Sequence, residues 1–177
     1  MRAKLAVFAL LLSLGLVNWS MMGKEQHLAA GDIIYVQLAP VDPRSLMQGD
    51  YMTLRFELAN QVYDALPKTK KSRRWRHEVI ANDGFVVVHL DERKVATFKG
   101  VDDKEVLAKG DMLLRFRVRN GVVKFATNAY FFQEGHAQYY EAARFGQFRV
   151  DKSGELLLMA LFDQDLKVLN APKEAPL

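Results

Sequence analysis

The chain has 177 residues, of which 50% are hydrophobic and 26% are charged. This balance indicates one folded domain and excludes a chain that is disordered throughout. The chain has no cysteine, which excludes disulfides, cysteine-ligated zinc and thiol catalysis.

A long apolar stretch opens the chain. Residues 5–22 read LAVFALLLSLGLVNWSMM, with Arg2 and Lys4 before them and no acidic residue until Glu25. A helix of this length spans about 27 Å, enough to cross the hydrocarbon core of a bilayer. We predict an uncleaved signal anchor over residues 1–23 with its N-terminus in the cytoplasm, an exported domain over 24–170 and a frayed tail over 171–177. The alternative is a cleaved signal peptide, but residues 20–23 lack its small-residue cleavage pattern.

The net charge of +4 is unevenly distributed. Beyond residue 23 the chain has 23 basic and 21 acidic residues, and six of the basic ones lie in KTKKSRRWRH, which leaves 17 basic against 21 acidic. No basic face for nucleic acid is expected from such a distribution. The basic segment, residues 68–77, is either a solvated loop or a contact for anionic lipid or an acidic partner, with Trp75 as its apolar anchor. Its candidate contact residues are Lys70, Lys71, Arg73, Arg74 and Arg76.

Alternating apolar patterns and turn residues fill the rest of the chain. They predict strands over residues 32–38, 51–58, 84–90, 94–100, 111–119, 122–127, 145–150 and 155–162. Asn120-Gly121 is typical of a two-residue type I′ turn, and residues 151–154 of another hairpin. Short helical segments are predicted over residues 43–46, 61–66 (capped by Asn60) and 135–146. We therefore predict a mainly β domain, compact and antiparallel, with one or two short helices and a minor α+β character.

The stretch PVDPRSLMQGDYMTLRFEL, residues 40–58, combines two turns with an alternating strand. Gly49 supplies an unusual backbone conformation, Asp50 can accept main-chain hydrogen bonds, and Tyr51 can bury its ring while presenting its hydroxyl. This is sufficient for a corner. One carboxylate and one phenol do not make a catalytic set without a second titratable group.

GDYMTLRF resembles the signature of the GDYXXLXY family of small membrane-anchored bacterial proteins. Gly49, Asp50, Tyr51 and Leu54 match it, and Phe56 stands in place of its final Tyr.

YFFQEGHAQYYE, residues 130–141, is similar to a second segment of that family, in which an aromatic pair precedes Pro-Glu-Gly and a short acidic helix. Glu134 and Gly135 match, and Gln133 replaces the proline. The resemblance covers residues 30–170. It implies a single-pass protein of the bacterial inner membrane whose domain faces the periplasm, often encoded beside a multi-pass membrane protein.

We expect an interaction or accessory module for a membrane or envelope protein, with a multi-pass membrane protein as partner and no cofactor or metal. The alternative is a hydrolase or ligand-binding domain that uses Asp50 and Glu134. A metal or general-base site at Glu134, His136 and Glu141 is disfavoured, because His136 and Glu141 are spaced five apart on a predicted helix. Glu134 is instead interpreted as a charge at the helix N-terminus. The aromatic residues 130–132 and 139–140 are a candidate surface for a partner.

Overall fold

The structure is a computed structural model that describes residues 4, 7–8, 10–19, 21, 31–39, 47–48, 51–69, 78–79, 83–101 and 107–171. The strands among these residues are β1 (Asp32–Gln37), β2 (Met47–Gln48), β3 (Tyr51–Thr53), β4 (Lys68–Thr69), β5 (Glu78–Val79), β6 (Asp83–Leu90), β7 (Ala96–Val101), β8 (Asp111–Arg119), β9 (Val122–Lys124), β10 (Ala129–Phe131), β11 (Phe145–Val150) and β12 (Leu156–Phe162). The helices that follow the N-terminal segment are α1 (Glu57–Ala65) and a 3₁₀ helix (Ala137–Tyr140).

The strands of the described residues pair antiparallel in four sheets. The largest sheet has the order β7-β6-β8-β9, and the second has the order β1-β11-β12. A third sheet has the order β10-β3-β2, and β4 pairs with β5. This confirms the predicted mainly β, antiparallel domain with two short helices.

Main-chain hydrogen bonds link the two larger sheets through their hairpin turns. The Tyr35 N–H donates to the Lys94 carbonyl over 2.9 Å, beside a parallel bridge to Val95, and the Arg115 N–H donates to the Gly154 carbonyl over 2.8 Å. Apolar side chains from both sheets and from α1 meet between them in one core. Its largest fully buried side chains are Phe56, Phe116, Phe148, Ile34, Leu54, Leu114, Leu161, Val62, Val86, Val88 and Val118.

The predicted strand over residues 51–58 is too long, because β3 ends at Thr53 and α1 begins at Glu57. The burial pattern that suggested it is nevertheless correct: Met52, Leu54, Phe56 and Leu58 are all buried. Phe56 still has an extended backbone, with φ of −112° and ψ of 136°, so alternate side chains reach the core until the helix starts.

Helix α1 packs one face on the core. Leu58 and Val62 are its buried residues, and their spacing of four places them on the same side of the helix. Asn60 is inside the helix rather than at its cap, and its amide donates weakly to Glu57 over 3.4 Å. The helix ends where the Leu66 N–H donates to the Val62 carbonyl, one residue before Pro67.

The predicted hairpins are confirmed. Asn120 and Gly121 have φ of 54° and 72°, the positive values that a type I′ turn requires. In the hairpin between β11 and β12, the Asp151 carboxylate accepts hydrogen bonds from the N–H groups of Ser153 and Glu155. Asp91 holds the hairpin between β6 and β7 in the same way.

The N-terminal segment is helical over residues 10–19. Its large apolar side chains between residues 7 and 21 are at least 49% exposed where the structure describes them. In the described part of the chain, no helix combines the length and the apolar character that a membrane crossing needs. Several residues of the predicted anchor, among them 5, 6, 9, 20 and 22, lie outside the described residues.

Candidate functional site: the aromatic surface of β3 and β10

Pairing of β3 with β10 brings the two motif segments together. Tyr130 is opposite Met52, and Phe131 is opposite Tyr51. Side chains that face each other across an antiparallel pair lie on the same side of the sheet. The rings of Tyr51 and Phe131 are accordingly in contact, with centroids 5.7 Å apart. We call these two residues the outer pair.

Phe131 is the more exposed member of the outer pair, at 74%. Outside the N-terminal segment, this is the largest exposed fraction of any large apolar side chain that the structure describes. Tyr51 is half-buried beside it. The outer pair is therefore an apolar ridge on the surface rather than part of the core.

Tyr130 of β10 and Phe132, the residue after the strand, meet Tyr140 of the 3₁₀ helix, and we call these three residues the inner cluster. The Tyr140 ring is edge-on to Tyr130, with centroids 5.1 Å apart, and stacked on Phe132 at 5.3 Å. Burial raises the pKa of Tyr130 to about 12, and the neighbouring Tyr140 hydroxyl contributes to the rise. The inner cluster thus fixes β10, and with it the outer pair, against the domain.

Glu134 and Gly135 lie in an exposed turn that leads from β10 to the 3₁₀ helix. The His136 N–H closes this turn on the Gln133 carbonyl at 3.0 Å, and Gly135 has a φ of +81°. The interpretation of Glu134 as a helix cap is wrong: the helix begins at Ala137, and no side chain caps it. The 3₁₀ helix, Ala137–Tyr140, is also shorter than the helical segment predicted over residues 135–146, and the last two of those residues belong to β11.

Leu54 belongs to the core rather than to a surface. Its side chain is 1% exposed, and its N–H donates to the Asn128 carbonyl at 2.6 Å. Phe56, which stands where the motif has tyrosine, is 2% exposed and lies edge-on to Phe125 and Phe148. Leu54 and Phe56 therefore stabilise the core, whereas Tyr51 forms part of the exposed outer pair.

The remaining predicted site residues lie outside the described residues. They are Gly49 and Asp50 of the motif and the basic residues Lys70, Lys71, Arg73, Arg74 and Arg76. The helical turn predicted over residues 43–46 also lies outside the described residues. In the described part of the chain, no group of three or more His, Cys, Asp or Glu side chains is placed to hold a metal ion. Glu134, His136 and Glu141 form no such group.

Sequence reasoning missed a cluster on β6, β7 and β8. The Asp111 side chain is 3% exposed, and it accepts hydrogen bonds from Lys99 and from Nδ1 of His89, the latter over 3.0 Å. The Lys99 bond, followed by the His89 bond, holds the pKa of Asp111 below its ordinary value. The register of three strands creates this cluster, and no local pattern indicates it.

A second missed feature is visible in the sequence RFRVR. Arg115, Arg117 and Arg119 occupy alternate positions of β8 and therefore point to one face, opposite the core residues Phe116 and Val118. The period-two pattern indicates this arrangement, but the carboxylates that partner these side chains come from β6 (Asp83) and from the turn between β11 and β12 (Glu155).

The GDYXXLXY family model matches residues 13–161. The chain belongs to the GDYXXLXY family. Neither a curated protein nor a solved structure matched it. In this GDYXXLXY domain, the matched span includes the outer pair, the inner cluster and both larger sheets except Phe162, the last residue of β12.

Proposed function

We propose that this GDYXXLXY protein is an interaction module, anchored in the bacterial inner membrane by residues 1–23, whose periplasmic domain binds a multi-pass membrane protein through the outer pair. The observation that carries this proposal is the contact between Tyr51 and Phe131, two residues of separate motif segments that together form an exposed aromatic ridge.

The exposed N-terminal segment supports the anchor. Apolar side chains on all sides of a helix are costly in water, and they are typical of a helix surrounded by lipid. Val7, Leu16 and Trp19 are 57%, 65% and 83% exposed, so the folded domain does not cover them. Arg2 and Lys4 favour a cytoplasmic N-terminus.

The shape of the outer pair supports a protein partner. Aromatic residues are enriched at protein interfaces, where they carry a large share of the binding energy. Phe131 is held on a strand whose other face is fixed by the inner cluster, so it would bind with little loss of conformational freedom. The neighbouring Glu134 is exposed and would lie at the polar rim of such an interface.

Site-specific photocrosslinking in the native membrane tests the partner. A photoreactive phenylalanine analogue at position 131 should attach one specific membrane protein, identified by mass spectrometry. The matched control carries the same analogue at Val168, which follows β12 and is 47% exposed. No adduct from position 131, or the same adducts from both positions, would contradict the proposed interface.

Alkaline extraction of membranes tests the anchor. The full chain should remain with the lipid, and a variant with Leu11→Asp and Leu14→Asp should be released, because charges in the centre of a span cost several kcal/mol together. Protease added to spheroplasts should digest the domain of the full chain and spare a cytoplasmic marker. Release of the full chain, or protection of its domain, would overturn the anchor or its orientation.

A further inference from the structure

The outer face of the β8–β9 hairpin carries four basic side chains. Arg115, Arg117 and Arg119 alternate along β8, and Lys124 of β9 is opposite Arg117 in the register. We call these four residues the basic face. It lies on a different sheet from the aromatic surface, and its residues are not those of the basic segment at residues 68–77.

Two carboxylates hold the guanidinium groups in place. Glu155 accepts hydrogen bonds from Arg115 over 2.9 Å and from Arg117 over 2.7 Å. Asp83 accepts two hydrogen bonds from Arg119, over 2.6 and 3.2 Å, and the pKa of Asp83 is lowered mainly by this contact. Each of the three guanidinium groups thus has a carboxylate partner on the surface.

Positive charge remains in excess on the basic face. Among the described residues, the four cations of this face are accompanied by two carboxylates, and the side chains of Arg115, Arg117 and Arg119 are 40%, 48% and 54% exposed. A guanidinium has five N–H donors, so arginines that each meet one carboxylate keep donors for phosphate oxygens. The basic face is therefore suited to an anionic surface that offers many phosphates.

An apolar side chain projects beside these charges. Val122 is opposite Arg119 in the register, lies on the same side of the hairpin and is 51% exposed. Basic side chains are attracted to an anionic bilayer surface, and an apolar side chain beside them can enter the interfacial region of the lipid.

We propose that the basic face docks the domain on the anionic surface of the membrane that anchors it. This inference rests on the proposed anchor, which would keep the hairpin close to the lipid at a high effective concentration. Docking would hold the domain in one orientation on the bilayer and leave the aromatic surface, which lies on a different sheet, for the partner protein.

A fluorescent label on the full chain tests the docking. Because the chain has no cysteine, Val122→Cys creates a unique site for an environment-sensitive dye. In nanodiscs of phosphatidylcholine and phosphatidylglycerol, the emission should shift to the blue relative to discs of phosphatidylcholine alone. The shift should disappear at about 1 M salt, where the Debye length is about 3 Å. The same dye at Met159→Cys, on β12, should respond to neither change.

Two charge variants should change docking in opposite directions. Misfolding could explain a decrease in docking but not an increase. Arg117→Gln with Lys124→Gln should lower the ratio of docked to undocked domain roughly 30-fold, the factor expected for two basic side chains at an anionic surface. Asp83→Asn should raise this ratio, because it removes a carboxylate from the face.

Three results would overturn the inference. They are an unchanged emission in the anionic discs, an equal shift in the charge variants, and loss of the shift on neutralising Lys70, Lys71 and Arg73 while Arg117 and Lys124 are intact. A chain that does not insert into any disc would instead refute the anchor, so the two failures are distinguishable. A shift produced only by an acidic protein or a soluble polyanion would replace the lipid with that partner.

Discussion

Tyr51 of β3 faces Phe131 of β10 across an antiparallel pair, with ring centroids 5.7 Å apart. The two residues are about 80 positions apart in the chain, and each belongs to a different segment of the family motif. Their contact joins the two segments in one exposed surface. Within the motif, Leu54 is buried in the core, whereas Tyr51 contributes to this surface.

Phe131→Ser should abolish partner capture without unfolding the domain. The side chain is 74% exposed, so its loss should change the free energy of unfolding by no more than about 0.5 kcal/mol. Urea denaturation and co-purification from mild detergent measure the two effects, with Val168→Ser as the matched exposed control. Normal partner binding by Phe131→Ser would show that the outer pair is not part of the interface.

Leu54→Ala should have the reverse effect, a loss of stability that precedes any loss of binding. Leu54 is 1% exposed in the core, and removing a buried leucine side chain costs about 2–5 kcal/mol. Chemical denaturation measures the difference in unfolding free energy. A cost below about 1 kcal/mol would show that this motif position does not support the core.

Alkaline pH should destabilise the domain through Tyr130. Its pKa is about 12 in the folded domain against 10 for an ordinary tyrosine, because burial penalises the phenolate. Between these values the unfolded chain has lost the proton and the folded chain keeps it. The contribution of Tyr130 to stability is therefore constant below pH 10 and falls as the pH rises towards 12.

Titration of phenolate absorbance should show a step near that value. Tyr130→Phe should remove this late step and reduce the alkaline fall in the urea midpoint. A titration in which the variant retains the late step would assign it to another tyrosine.

Acid should weaken the cluster around Asp111. Because Lys99 and His89 lower the pKa of this carboxyl below 3.8, the folded chain keeps it ionised where the unfolded chain has already bound a proton. Its contribution is complete above pH 3.8 and declines as the pH falls through the lower folded value. Asp111→Asn should flatten the dependence of the urea midpoint on pH in this range, and equal slopes for the two proteins would contradict the assignment.

Gly154→Ala should cost more stability than Gly121→Ala, although both glycines have a positive φ, of 77° and 72°. A Cβ at position 154 would lie 2.9 Å from the Leu113 carbonyl oxygen, whereas a Cβ at position 121 would meet nothing within 4 Å. We expect about 1–2 kcal/mol at position 121 and about 2–4 kcal/mol at position 154. Equal costs would mean that the link between Arg115 and Gly154 does not depend on this close approach.

Local patterns predicted the hairpins well because their causes are local. Asn120-Gly121 and the Asp151 turn specify reversals within a few residues, and the flanking alternation assigns the inner and outer faces. Residues 51–58 show the limit of the same method. Burial alternates through Leu58, yet the chain changes from strand to helix at Glu57, and no period-two pattern can distinguish an extended segment from a first helical turn.

Only part of the candidate site could be predicted from the sequence. The aromatic residues of 130–132 indicated a surface, but the partner of Phe131 follows from the register of β3 with β10, which depends on long-range pairing. The same is true of Asp111, whose carboxylate meets Lys99 and His89 only after three strands align. Composition and spacing contain no information about such distant neighbours.

Strand β1 pairs with β11, and Gln147 also donates a hydrogen bond to the Tyr35 hydroxyl across 112 positions of the chain. The β6–β7, β8–β9 and β11–β12 pairs, in contrast, join neighbours and can form as soon as they are synthesised. Strand β1 is therefore synthesised early but can pair with β11 only when the chain is almost complete. A ribosome that stops before residue 145 leaves β1 without its β11 partner, and an unpaired strand is open to pairing with other chains.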